Sequence, residues 1–200
     1  MVPHPQRAFF IGRRGHMRTF IAIELSPEVG EYLSEIQTET QKYCRRGNYT
    51  PKDNFHVTLH FLGEIDPSDV EYVKEAMFEA AQRNRVFDLK LGQIGFFGRG
   101  DRGILWAGLD KSDALQRLFF GLEKSLERQG FSREKKGLSP HITLGREVEP
   151  QRGFADVQKA VVMEGKSFTV EKITLMESVR RGPRLIYKPI FRQELKGYRA

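Results

Sequence analysis

Cysteine is nearly absent from this 200-residue chain. Cys44 stands alone and so has no partner for an internal disulfide. That excludes a disulfide-stapled scaffold and fits a reducing, cytoplasmic setting. No apolar run approaches the roughly 18 residues of a membrane span, and Ala8 to Ile11 is far too short for a signal-peptide core. There is one tryptophan, Trp106. Acidic residues are outnumbered, 26 against 33 basic ones, for a net charge of +7. Such a balance suits an anionic partner without identifying one. Residues 1–16 contribute Arg7, Arg13 and Arg14 and no acid, so the charge falls to +4 from Met17 onward. They are expected to be an N-terminal extension or a cloning leader, with residues 17–200 forming one domain.

A four-residue pattern occurs twice, as His56-Val57-Thr58-Leu59 and His141-Ile142-Thr143-Leu144. Each lies in a run of apolar and β-branched residues that reads as a strand. Side chains alternate along a strand, so each copy offers an imidazole and a hydroxyl to one side and aliphatic anchors to the other.

The surrounding elements repeat in the same order. Thr19 to Leu25 reads as a strand, and Ser26-Pro27-Glu28 opens a helix running toward Cys44 and ended by Gly47-Asn48. The first histidine strand follows, then a helix after Asp66-Pro67 and a strand over Phe87 to Leu91. Gly95-Phe96-Phe97-Gly98 leads into a basic, glycine-rich turn. In the second half, Ile104 to Leu109 is a strand and Asp113 to Gln129 a helix, and the second histidine strand follows Ser139-Pro140. A helix over Phe154 to Val162 and strands over Phe168 to Val170, Ile173 to Leu175 and Leu185 to Phe191 complete the chain.

The spacings match. Phe20 to His56 and Leu105 to His141 are both 36 residues, and Phe87 to Ile104 and Phe168 to Leu185 are both 17. From histidine to the next strand the halves differ, 31 against 27, as a helix shorter by about a turn explains. The expected fold is therefore α/β (α+β) and bilobal. Two pseudo-twofold-related lobes, with antiparallel-rich sheets, line a central cleft and carry their helices outside.

Two histidines on opposite cleft walls suit in-line displacement at phosphorus. One neutral imidazole takes a proton from attacking water and the opposing imidazolium protonates the departing oxygen. Thr58 and Thr143 can hydrogen-bond the non-bridging oxygens. Arg146 adds a permanent charge and a bidentate fork, provided a bend or loop after Gly145 redirects it from its odd offset. His56 and His60, four residues apart on one strand face, are separated by roughly 13 Å, too far to chelate one ion. No metal and no cofactor is expected. His60 reads as an exposed strand residue or cleft-rim contact; Phe96, Phe97 and Tyr187 could stack a base but read first as core. Arg99 to Arg102 and Arg180 to Arg184 read as solvated turns at equivalent places in the two halves.

Asn54 to Gly63 and Ser139 to Arg146 resemble the paired signatures of the two-histidine phosphoesterase superfamily. They are most similar to its RNA 2′,3′-cyclic phosphodiesterase branch, formerly called 2′–5′ RNA ligases. Arg18 to Leu25, the Trp106 strand and Gly182-Pro183 share that resemblance, which spans about Met17 to Phe191. It implies metal-independent opening of a 2′,3′-cyclic phosphate on RNA ends or nucleotides to a 2′-phosphomonoester. By motif, His56 is the general acid, His141 the general base, and Thr58, Thr143 and Arg146 are phosphate ligands. The expected enzyme is a cytoplasmic monomer with no membrane partner. Competing readings are the reverse reaction, 2′–5′ RNA joining, and a non-catalytic nucleotide-binding module.

Overall fold

A computed structural model describes residues 15–99, 101–134, 137–182 and 184–197. Most of the proposed leader (with Arg7, Arg13 and Arg14), Gly100 and Pro183 lie outside the described residues.

The first strand, β1 (Met17–Glu24), buries Phe20, Ile21, Ala22 and Ile23. Helix α1 (Pro27–Gln41) starts at Ser26, whose hydroxyl accepts from the Val29 N–H, with Pro27 in the first turn. It buries Val29, Leu33 and Ile36. After β2 (Cys44–Tyr49) and a 3₁₀ turn at Lys52–Asn54, the first histidine strand is β3 (His56–Ile65). Helix α2 (Val70–Gln82), entered through a 3₁₀ turn capped by Asp66, buries Val73, Met77 and Ala80. Strand β4 (Phe87–Arg99) then pairs with β5 (Arg102–Leu109). Helix α3 (Asp113–Arg128), capped by Ser112, ends near Gly130, whose φ of 86° favours glycine. The second histidine strand is β6 (His141–Pro150), followed by α4 (Phe154–Ala160), β7 (Ser167–Val170), β8 (Lys172–Arg181) and β9 (Arg184–Glu194).

Two antiparallel sheets result, ordered β3-β1-β8-β9 and β2-β6-β5-β4-β7. The duplication is real but interlocked. β4 follows the first histidine strand in sequence yet joins the second sheet, and β8 follows the second yet joins the first. The core lies between sheets and helices, built from residues such as Ile21, Leu33, Val57, Met77, Leu118, Ile142 and Leu175.

The region around Cys44 departs from expectation. The helix ends at Gln41, and Cys44–Tyr49 is an edge strand on β6, pairing Arg46 with Glu149 and Asn48 with Arg146. Gly47 marks close packing and not a helix stop. A Cβ there would sit 2.9 Å from Val148 Cγ2. Gly95 likewise lies inside β4, and a Cβ on it would approach the Trp106 ring to 2.1 Å. The basic turn expected after Gly98 is the connection between β4 and β5, closed by the pairing of Arg99 with Arg102.

Candidate active site

Both histidine strands carry the same defect at the same place. In β3, Ala22 of β1 faces Thr58 while Ile21 faces His60, leaving Leu59 unpaired. In β6, Trp106 of β5 faces Thr143 while Leu105 faces Gly145, leaving Leu144 unpaired. Each is a β-bulge at the motif's fourth residue, and a bulge reverses the facing of everything beyond it. Leu144 and Gly145 are therefore both buried, and Arg146 emerges on the face of His141 and Thr143. The redirection that Arg146 requires is this bulge within a continuous strand.

The first lobe shows the same reversal. Leu59 and His60 both point inward, and Phe61 is 60% exposed. His60 is thus neither exposed nor at the cleft rim. It is 3% exposed and its Nδ1 donates to the buried Glu123 carboxylate of α3. His56 and His60 lie on opposite faces of β3.

The two imidazoles are held alike. His56 Nδ1 donates to the Asn54 carbonyl at 2.8 Å, and His141 Nδ1 donates to the Ser139 carbonyl at 2.7 Å. A carbonyl only accepts, so each Nδ1 carries a proton and each Nε2 is left for chemistry. His56 Nε2 lies 3.0 Å from Thr58 Oγ1, which donates to it in the neutral form. Asn54 itself is tied to β9: its amide donates to Leu185 O at 2.7 Å, and its side-chain oxygen accepts from the Tyr187 N–H.

Aromatic rings pack around both. Phe20 and Tyr187 lie 4.9 and 5.0 Å from His56 between ring centres. Phe97 lies 5.3 Å and Trp106 6.3 Å from His141. Phe97 therefore lines the site instead of the core, and Tyr187 lies at the site while packing on Phe20, Ala22 and Met176. Phe96 points the other way and stacks on Phe154 at 5.2 Å. A hollow of about 390 Å³ opens beside His56, lined by Glu24, Asn54, Met176, Tyr187 and Arg192 among others.

Electrostatics bring the two strands together. The His56 pKa is lowered, first by burial, then by the nearby His141 and Arg146, against the raising effect of the Asn54 carbonyl. His141 and Arg146 thus lie close enough to His56 to be felt. Farther along the same face, Arg45, Arg46 and Arg102 share the single carboxylate of Glu149, at 3.4, 2.9 and 3.3 Å. Arg180, Arg181 and Arg184 are exposed at the end of the β8–β9 hairpin, as expected of a solvated turn. Among the described residues no group of three His, Cys, Asp or Glu side chains is arranged to hold a metal ion. None of the helices there is long and apolar enough to cross a membrane.

A duplicated fold that sets one His-x-Thr strand in each sheet, with an arginine on the exposed face of the second, defines a class: the two-histidine phosphoesterases. The family model for LigT-like phosphoesterases matches residues 23–106. An RNA 2′,3′-cyclic phosphodiesterase of Thermotoga maritima is 34% identical over 65% of this chain and 70% of its own length. The protein of the same name from Aeropyrum pernix is 33% identical over 70% and 81%. Among solved structures, TT0787 of Thermus thermophilus superposes with a TM-score of 0.78 at 26% identity, covering 92% of this chain and all of that one. Escherichia coli LigT complexed with 3′-AMP gives 0.74 at 26% identity, covering 91% and 99%. The chain belongs to the LigT-like, RNA 2′,3′-cyclic phosphodiesterase family of phosphoesterases.

Proposed function

We propose that this chain opens 2′,3′-cyclic phosphates on RNA ends or nucleotides to 2′-phosphomonoesters, by paired-histidine catalysis without a metal. The observation that carries this reading is the matched anchoring of both Nδ1 atoms, which leaves proton transfer to the two Nε2 atoms. His141 acts as base and takes a proton from water as its oxygen attacks phosphorus. The P–O3′ bond breaks opposite, and His56 gives its Nε2 proton to the leaving 3′ oxygen. The products are a 2′-phosphate and a 3′-hydroxyl. His56 then regains a proton from solvent and His141 loses one.

In the free protein, burial, His141 and Arg146 all work against a charged His56. A bound phosphate reverses part of that, because its negative charge offsets the Arg146 guanidinium and lets His56 hold its proton. Once protonated, an imidazole of depressed pKa is a good donor. Thr58, Thr143 and Arg146 hold the non-bridging oxygens, with Thr58 exchanging its bond to His56 for one to phosphate. Arg46 and Arg102, which share Glu149 with Arg45, leave excess positive charge beyond Arg146 for the phosphates of a longer RNA.

The test is incubation with a dinucleotide ending in a 2′,3′-cyclic phosphate, with and without EDTA, resolving 2′- from 3′-phosphate. The expected product is the 2′-phosphate in both. A 3′-phosphate, or activity lost to EDTA and restored by one metal, contradicts the mechanism.

A further inference from the structure

Helices α1 and α3 begin on the same signal, a serine whose hydroxyl accepts from the N–H three residues on: Ser26 from Val29 and Ser112 from Leu115. At the same distance beyond each cap stands a buried polar side chain. These are Gln37, 8% exposed, and Glu123, 5% exposed. Buried polar groups persist where they have partners, and both find theirs at a bulge in the other half of the duplicated chain.

Gln37 Nε2 donates to the carbonyl of Leu144, the unpaired residue of the β6 bulge, at 2.7 Å, and to the Thr50 carbonyl at 2.8 Å. The Leu144 oxygen also accepts from the Thr50 N–H at 2.9 Å. One amide thus closes a knot of α1, the end of β2 and the bulge. On the other side, Glu123 accepts from His60, the residue after the β3 bulge, and from the Glu134 N–H at 2.7 Å. The two braces are equivalent in position but differ in chemistry.

The bulge decides where Arg146 points. With regular pairing through Leu144, alternation would send residue 146 to the core face. We propose that Gln37 is a positioning residue for Arg146: its amide holds the β6 bulge and so keeps the guanidinium in the cleft. The inference rests on the reading of Arg146 as a phosphate ligand. Gln37 itself stays behind the strand, bonded to backbone and remote from phosphate.

Gln37→Met keeps length and bulk and removes the donors. Affinity for inorganic phosphate, measured by calorimetry, should fall at least about 5-fold in this variant, the scale of a lost hydrogen bond. In an Arg146→Ala background the same substitution should change affinity less than about 2-fold, because two residues acting through one contact do not add. Thr40→Val is the control. Thr40 is also buried in α1, but its hydroxyl bonds within the helix to Ile36 O, so it should lower stability and leave phosphate affinity alone. Should Gln37→Met fail to fold, Gln37→Asn, one methylene too short to reach Leu144, asks the same question.

Unchanged phosphate affinity in a folded Gln37 variant overturns the proposal. So does an equal loss with and without Arg146, or an equal loss in Thr40→Val. Arg146→Ala with unchanged phosphate affinity overturns the phosphate-ligand reading itself, and the proposal with it.

Discussion

Arg146→Ala is the cleanest perturbation the cleft offers. Arg45, Arg46 and Arg102 are engaged with Glu149, whereas no carboxylate among the described residues holds Arg146. The side chain is exposed on the far side of a bulge, so its truncation opens no core cavity, and unfolding free energy should move by less than about 0.5 kcal/mol. Phosphate binding should respond far more. A hydrogen bond to a charged group contributes about 1.5–3 kcal/mol, which is about a 10- to 150-fold loss of affinity. A second reporter comes from His56. Arg146 is one of the charges that lower its pKa, so the variant's His56 should titrate at higher pH than in the parent, with His141 still opposing it. Arg146→Lys separates the two effects: it retains the charge felt by His56 but loses the bidentate fork. Calorimetric titration with inorganic phosphate and NMR titration of the His56 ring read the two quantities independently. An Arg146→Ala protein with parental phosphate affinity and an unmoved His56 would refute the placement of this guanidinium in the site.

Turnover should follow a bell-shaped pH curve, with His56→Ala chiefly losing the basic limb, His141→Ala the acidic limb, and each losing about 10²–10⁴-fold in rate. Because His56 titrates lower folded than its ordinary 6.5, the folded state favours its neutral form, and stability drains as pH falls from that value through the folded one. His56→Gln should unfold less readily in acid, as thermal melts across that window will show. Gly95→Ala should cost about 1–3 kcal/mol in urea denaturation and depress turnover, since its Cβ collides with the Trp106 ring beside His141; a neutral result would mean Trp106 moves freely. His60→Leu should cost about 3–5 kcal/mol by stranding the Glu123 carboxylate, with much of that recovered in the His60→Leu, Glu123→Met double variant.

Most of the helices and strands, and the pairing of the histidine strands across a duplicated chain, were legible in residue spacing. Amphipathic periodicity and helix caps are local signals, and Ser26 and Asp66 behave as such signals suggest. What was illegible depends on partners distant in the chain. Cys44 to Tyr49 carries arginines and a glycine that fit a fraying helix end, and only β6, with Glu149 opposite Arg46 and Val148 against Gly47, makes it a strand. His60 was misplaced by assuming unbroken alternation through Leu59. A sequence clue existed: in His56-Val57-Thr58-Leu59-His60-Phe61-Leu62, Leu59 and Leu62 are three apart, a spacing that strict alternation would put on opposite faces. The same offset that made Arg146 awkward was the signature of the bulge in both copies.

The duplication leaves the two imidazoles held alike and the walls around them different. Thr58 faces Ala22 across the first strand pair, and Thr143 faces Trp106 across the second. A small side chain at the first position leaves room for Phe20 and Tyr187 to pack on His56, and the indole at the second position takes up that space beside His141. Beyond the bulges, one strand presents the phenyl ring of Phe61 and the other the guanidinium of Arg146. Backbone features that fix the two imidazoles, namely the bulge and the carbonyl two residues before each histidine, are the same in both halves. Side chains that tell one end of an asymmetric substrate from the other are not. An in-line displacement needs both properties at once: matched imidazoles on opposite sides of phosphorus, and unlike surroundings that decide which faces water and which faces the leaving oxygen. On the proposed mechanism, a two-lobed chain meets the first by repeating a motif and the second by letting the residues around it diverge.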